Sequence, residues 1–321
     1  MSGRSLRERP RWPLRLGLHL YRKWSKLRFV LVSLYRSMEE KVEIPIDQFE
    51  TYVDGLDHCE DLAFDKEGIL WAGGELGQVY RIPEKGCVEE VTSVGGFCLG
   101  LAFSASDELY ICNAKLGCVI KVQKNGRSEL FADCAGDHKL KLPNYGVFDS
   151  SGNFFVSDSG DWAKSSGCIV RFDSRGHGNV FLEGPQPFPN GLALSADERF
   201  LFVAQSHTDD VLRIEIREDG SAGDRDVYAS GLERVPDGLA FDIAGNLYVS
   251  CYASDNIYRV SPEREVRLLA YDRAGTTLAR PTNIAFGGHG GDELFVANLG
   301  RWHISRAKLG IQGQPLANQR K

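Results

Sequence analysis

The chain has 321 residues, 42% of them hydrophobic and 26% charged, a globular balance that excludes a disordered chain. Its net charge of −6 divides unevenly: residues 1–41 hold 11 basic and 3 acidic side chains (+8), and the remaining 280 hold 27 basic and 41 acidic (−14). An acidic body argues against wrapping nucleic acid, and no apolar run approaches the roughly 18–20 residues of a spanning helix.

At the N-terminal end, residues 14–38 interleave Leu, Tyr, Trp, Phe and Val with Arg and Lys, and the longest uninterrupted apolar run is Phe29-Val30-Leu31-Val32. This pattern predicts a basic amphipathic helix lying on an anionic membrane surface. A helix packed on the main domain and an Arg-rich targeting peptide are the alternatives, since a signal-peptide core with a small-residue cleavage site is lacking. Residues 1–41 are therefore expected as a basic helical extension, 42–310 as the folded body and 311–321 as a polar tail. The expected location is cytoplasmic, at most peripheral to a membrane. None of the eight Cys residues forms a C-x-x-C pair, and most stand beside apolar residues, so buried reduced thiols are expected. One disulfide in a non-cytosolic compartment is the alternative.

From residue 50 onward the chain repeats. CEDLAFDKEGILWAGG, LGLAFSASDELYICNA, NYGVFDSSGNFFVSDS, PNGLALSADERFLFVAQS, PDGLAFDIAGNLYVSCY and PTNIAFGGHGGDELFVANL each show an apolar run, a polar turn and an alternating apolar run. A Gly or its equivalent recurs at Asp61, Gly100, Gly146, Gly191, Gly238 and Asn283, in steps of 39, 46, 45, 47 and 45 residues. A period near 45 with three or four short strands per unit predicts an all-β, six-bladed β-propeller. A helical solenoid would show 3.6 periodicity, whereas these runs alternate with period 2. Residues 41–54 are expected to supply a strand that closes the ring against the last blade.

The residue before each repeated Gly should open the innermost strand of its blade and face the central channel. These positions are Glu60, Leu99, Tyr145, Asn190, Asp237 and Thr282, with Asn144 one residue earlier than Tyr145. Two carboxylates and two amide oxygens converging on one axis form a hard-cation set, and without His or Cys it does not suit tetrahedral zinc. The competing reading is that Asn and Asp before Gly are ordinary turn residues.

The register of Glu60 in CEDLAF, Asn144 in LPNYGVFD, Asn190 in PNGLALS and Asp237 in PDGLAFD resembles the regucalcin–gluconolactonase (SMP-30-like) family of six-bladed propellers. More distantly it resembles the paraoxonases and strictosidine-synthase-like proteins. The resemblance covers about residues 45–305. It implies that Glu60, Asn190 and Asp237 hold one catalytic divalent cation with Asn144 beside it. Calcium is the first expectation, and zinc, manganese or magnesium are the others. It also implies a lactonase or carboxylic-ester hydrolase.

The departures bear on substrate. The family motif has an Arg two residues before the Asn where this chain has Leu142, and an acidic residue after it where this chain has Tyr145. A small, partly apolar ester is therefore expected rather than a polyhydroxylated sugar lactone. The paraoxonase active-site His would fall at Leu99, and the acid of strictosidine formation finds no match at Thr282 or Asn283. Asp237 is the expected general base. Asn144, Tyr145, Leu99, Trp162, His207 and Thr282 are expected at the substrate. The loop Ser157–Gly167, with Trp162, is read as a lid, a pocket wall or a solvated hairpin tip, and Asp158 within it as a ligand for a second, structural cation. Arg301-Trp302-His303 forms a similar cluster. A strictosidine-synthase-like pathway enzyme and a non-catalytic ligand-binding propeller are the alternative functions.

Overall fold

The structure is a computed structural model, and it describes residues 42–320. The expected basic helix at 14–38 lies outside the described residues. The body is a six-bladed β-propeller of six four-stranded antiparallel sheets. Five blades run in simple chain order from the channel outward. Blade 1 opens with Leu62–Phe64, blade 2 with Cys98–Phe103, blade 3 with Pro143–Phe148, blade 4 with Pro189–Leu194 and blade 5 with Pro236–Phe241. Blade 6 takes its inner three strands from Pro281–Gly287, Glu293–Asn298 and His303–Lys308, and its outer strand from Glu50–Val53 near the start of the body. Glu50 pairs with Arg306 and Val53 with Ile304, so the ring is closed by the early strand as expected. Among the described residues the one helical element is the short turn Ile46–Gln48.

Six apolar clusters fill the six spaces between blades. Phe154 packs between blades 2 and 3, and its neighbour Phe155 between blades 3 and 4. Successive side chains of a strand point to opposite faces, so a strand flanked by blades on both sides buries both faces. That is why Phe154–Asp158 and Leu247–Cys251 are buried along their whole length. Phe154 and Phe155 are fully buried, each worth roughly 1.5–3 kcal/mol of transfer free energy. Tyr52 of the closing strand and Phe64 of blade 1 both set ring contacts of 5.0 Å on Phe295 of blade 6, which ties the seam.

Two local features aim the start of the innermost strands. In blades 2 to 6 the pairing slips there by one residue, between Cys98 and Leu101, Pro143 and Tyr145, Pro189 and Leu192, Pro236 and Leu239, and Pro281 and Ile284. Such a bulge bends the strand and re-aims a side chain. Glycine then permits the close approach at the axis. A Cβ on Gly191 would lie 2.2 Å from the Asp237 carbonyl oxygen, and one on Gly238 would lie 2.6 Å from the Asn283 Cα.

The innermost strands end, away from those bulges, around an apolar cavity lined by residues such as Phe64, Leu194 and Phe241. Residues 311–320 lie across it. Gln314 donates from its backbone to the Phe241 carbonyl (2.8 Å) and from its side chain to that of Leu194 (3.0 Å). Buried Asn318 donates to the Phe64 carbonyl at 2.9 Å. The tail, polar in composition, thus spans blades 1, 4 and 5.

Six of the eight cysteines are buried, and Cys87 and Cys134 are exposed. The exposed pair departs from the expectation because each sits on an outer turn or hairpin rather than in a sandwiched strand.

Candidate functional site

Asn144, Asn190 and Asp237 lie at the bulged end of their innermost strands and Glu60 just before the first strand of blade 1, and all four are buried. Each carries a side-chain oxygen with no hydrogen-bond partner: Glu60 Oε2, Asn144 Oδ1, Asn190 Oδ1 and Asp237 Oδ1. A buried polar atom left unpaired costs about 1–3 kcal/mol, more for a charged group. Four at the same end of one channel, in the predicted ligand positions, fit a cation as the missing partner.

The amide orientations are fixed by neighbouring hydroxyls. Asn144 Nδ2 donates to Ser159 Oγ (3.0 Å), whose hydroxyl donates to the Pro189 carbonyl (2.6 Å). Asn190 Nδ2 donates to Ser206 Oγ (3.3 Å), whose hydroxyl donates to the Pro236 carbonyl (2.8 Å). Each serine spends its proton on a carbonyl and accepts from the amide, so the NH2 group faces the serine and Oδ1 is the free end. Ser159 and Ser206 were not singled out as ligand supports from the sequence. Their signal is positional, since each directly follows the second strand in the two blades whose expected ligand is an Asn.

Asn283, which the sequence marks only as the sixth repeat position, is a third residue of this end of the channel. It is fully buried, its backbone N–H and Nδ2 both reach the Glu60 carbonyl (3.3 and 3.4 Å), and its Oδ1 has no partner. It stands where four of the other blades have Gly, and that deviation was the available clue. Thr282, expected at the substrate, donates its hydroxyl to the Glu60 carbonyl at 2.6 Å. It therefore holds Glu60 in place across the ring seam.

Burial pushes the Glu60 carboxyl up from the ordinary range. Burial likewise raises Asp237 well above the ordinary carboxylate range, and the charges of Glu60 and then Asp61 add to it. Asp61, also raised by burial, accepts from the backbone N–H groups of Leu62 and Leu101 and ties blade 1 to blade 2. In the protein alone, Glu60 and Asp237 thus resist ionising together, a resistance that a bound divalent cation would remove.

The rim around this end is aromatic. Trp162, 55% exposed, sets its ring edge against Phe188 (4.5 Å) and His207 (4.6 Å), so two expected substrate residues meet with one that was missed. The His58 ring lies 4.4 Å from that of Trp302, and His58 Nδ1 lies 2.6 Å from Glu75 Oε2. Leu99 is buried at the start of its strand, and half-buried Tyr145 lines the channel with the inner strands.

Residues 65–299 match the SMP-30/gluconolactonase/LRE-like region. The chain belongs to this family. Within reach of it, strictosidine synthase-like protein 9 of Arabidopsis thaliana is 28% identical over 229 residues, which cover 62% of this chain and 61% of that protein. The chain thus spans about six tenths of the length of that relative. A 6-deoxy-6-sulfogluconolactonase of Pseudomonas putida is 24% identical over 253 residues, covering 76% of this chain and 83% of the enzyme. Among solved structures, a gluconolactonase of Xanthomonas campestris superposes with a TM-score of 0.71 at 20% identity, covering 81% and 89% of the two chains. A calcium-binding regucalcin of Agrobacterium tumefaciens gives 0.66 at 16% identity, covering 85% and 96%. At these identities the structural likeness establishes the propeller fold, and the family relatives include lactonases.

Proposed function

We propose that this propeller is a divalent-cation-dependent lactonase or carboxylic-ester hydrolase acting on a small, partly apolar ester. The observation that carries it is the set of unpartnered oxygens on Glu60, Asn144, Asn190 and Asp237, buried at one end of the channel. The lactonase relatives support the reaction class. Calcium suits an all-oxygen set with water in the remaining positions.

When bound, such a cation supplies Lewis acidity toward the ester carbonyl and lowers the pKa of a coordinated water. The chain's own residues do the rest. Asn144 and Asn190, locked by Ser159 and Ser206, present fixed oxygens that need no reorganisation during the reaction. Asp237 is the general base: ionised, its carboxylate takes the proton from the attacking water, through the oxygen not turned to the cation, as the hydroxide oxygen bonds to the acyl carbon. It returns that proton to the alkoxide as the ester C–O bond breaks, leaving acid and alcohol. Glu60 stays ionised as the charge-balancing ligand. Trp162, Phe188 and His207 form an aromatic wall, and Leu142 and Tyr145 offer no cation or carboxylate for sugar hydroxyls, so aryl or alkyl ester substrates are favoured.

The test is hydrolysis of a panel of aryl esters and lactones with calcium, with EDTA, and with EDTA followed by other divalent ions, alongside calorimetric calcium binding. Metal-dependent turnover is expected. Calcium binding without turnover on any substrate would leave a ligand-binding propeller, and neither binding nor turnover would overturn the reading of the site.

A further inference from the structure

We propose a second metal site in blade 3, formed by His138, Asp158 and Cys168, that takes a borderline ion of the zinc type. It is separate in chemistry from the all-oxygen set on the axis and does not depend on the hydrolase reading.

His138 Nε2 lies 2.7 Å from Asp158 Oδ2 and 3.3 Å from Cys168 Sγ. All three donor atoms lie within 4.8 Å of one another. Asp158 and Cys168 are buried, and His138 is partly exposed, so the cluster has a route to solvent. Two electron-rich atoms, a carboxylate oxygen and a sulfur, converge on a single ring nitrogen. One N–H hydrogen satisfies one of them well, whereas a cation satisfies all three lone pairs at once. A thiolate, an imidazole and a carboxylate with one position left for water form a zinc-type donor set.

Comparison among the blades shows that this cluster is not needed for the fold. Asp158 ends the second strand of blade 3, and its counterparts are Asn113, Gln205, Cys251 and Asn298. At two of these positions a neutral amide makes the tie to the preceding segment: Asn113 donates to the Gly95 carbonyl, and Asn298 accepts from Ala279 N–H. Blade 3 alone among the described blades adds a small hairpin, Cys134–Ala135 with His138–Lys139, and that hairpin brings the imidazole over the carboxylate. Carboxylate, thiol and inserted imidazole thus occur together in one blade. Asp158 also accepts from the N–H groups of Lys141 (3.1 Å) and Leu142 (2.7 Å), immediately before Asn144. An ion here would hold the approach to the axial site.

On binding, the Cys168 thiol releases its proton to solvent, and the imidazole presents Nε2 as a lone pair with its remaining proton on Nδ1. Cobalt(II) is the probe, because a thiolate ligand gives it an intense near-ultraviolet charge-transfer band. The full-length protein, stripped with EDTA and titrated with cobalt, should develop that band, and zinc should displace it. Cys168→Ser should abolish the band, His138→Gln should abolish the rise in melting temperature that zinc causes with calcium in excess, and Asp237→Asn should leave the cobalt band intact. His138 sits on a surface hairpin, so its variant tests the site if Cys168→Ser misfolds. Absence of the band in the native protein overturns the proposal. So does a band that survives Cys168→Ser, which would place the thiolate at another cysteine.

Discussion

A carboxylate buried without a partner is the most informative single feature of this chain. Asp237 has an unpartnered Oδ1 and an upward shift driven first by burial and then by Glu60. Asp237→Asn removes the charge of a proposed ligand and the proposed base, and should lower kcat/KM by roughly 10²–10⁴-fold while the protein stays folded. Undiminished turnover in that variant would remove Asp237 from the mechanism. Ser206→Ala addresses the support rather than the ligand. Without the hydroxyl, Asn190 loses the contact that fixes its amide, and calcium affinity should fall roughly 10–100-fold, read by calorimetry.

The same carboxylates set a pH dependence with a definite sign. Their folded-state values lie above the unfolded value of about 4, so between the two the native state binds more protons than the unfolded one. Stability from this source is present at low pH and lost as pH rises through the raised values. In EDTA the melting temperature should therefore drift down on going from about pH 5 to pH 8, other groups aside. Calcium favours the ionised pair, so the rise in melting temperature that it causes should grow with pH. A calcium effect equal at both ends would mean that Glu60 and Asp237 do not exchange protons for the ion.

At the scale of the strand, the period and the aim of the side chains had different visibility. Six units with alternating apolar runs made the propeller legible, because each blade has the same local requirement of two buried faces and tight turns. The registered Glu60, Asn190 and Asp237 were legible for the same reason, as deviations at one repeated position. Ser159, Ser206 and Asn283 were not, because their partners are the Pro189, Pro236 and Glu60 carbonyls in adjoining blades, and Glu60 and Asn283 meet only once the ring closes. Phe188 was missed similarly, since its meeting with Trp162 joins loops of blades 3 and 4. That contact predicts that Trp162→Ala raises KM for aryl esters with little change in kcat, because the indole lies at the rim and not among the axial oxygens. A fall in kcat with KM unchanged would place Trp162 in the chemistry instead.

At the scale of the whole ring, both ends of the described body act as ties. Glu50–Val53 completes blade 6, and residues 311–320 cross the far end of the channel. The second tie is the more testable, because its hydrogen bonds to the ring fall where the innermost strands end and turn. Removing residues 311–321 breaks the bonds from Gln314 to Phe241 and Leu194, the bond from Asn318 to Phe64 and the Arg320–Glu198 ion pair, and it uncovers the apolar strand ends beside Leu316 and Ala317. At about 0.5–1.5 kcal/mol per hydrogen bond, plus exposed apolar surface, the melting temperature should fall by about 5 °C or more. Calcium affinity should hold, because Glu60, Asn190 and Asp237 stand at the opposite ends of the same strands. An unchanged melting temperature would show that the tail rests on the channel without bracing it. A parallel loss of calcium binding would show instead that bracing at one mouth sets the geometry of the other.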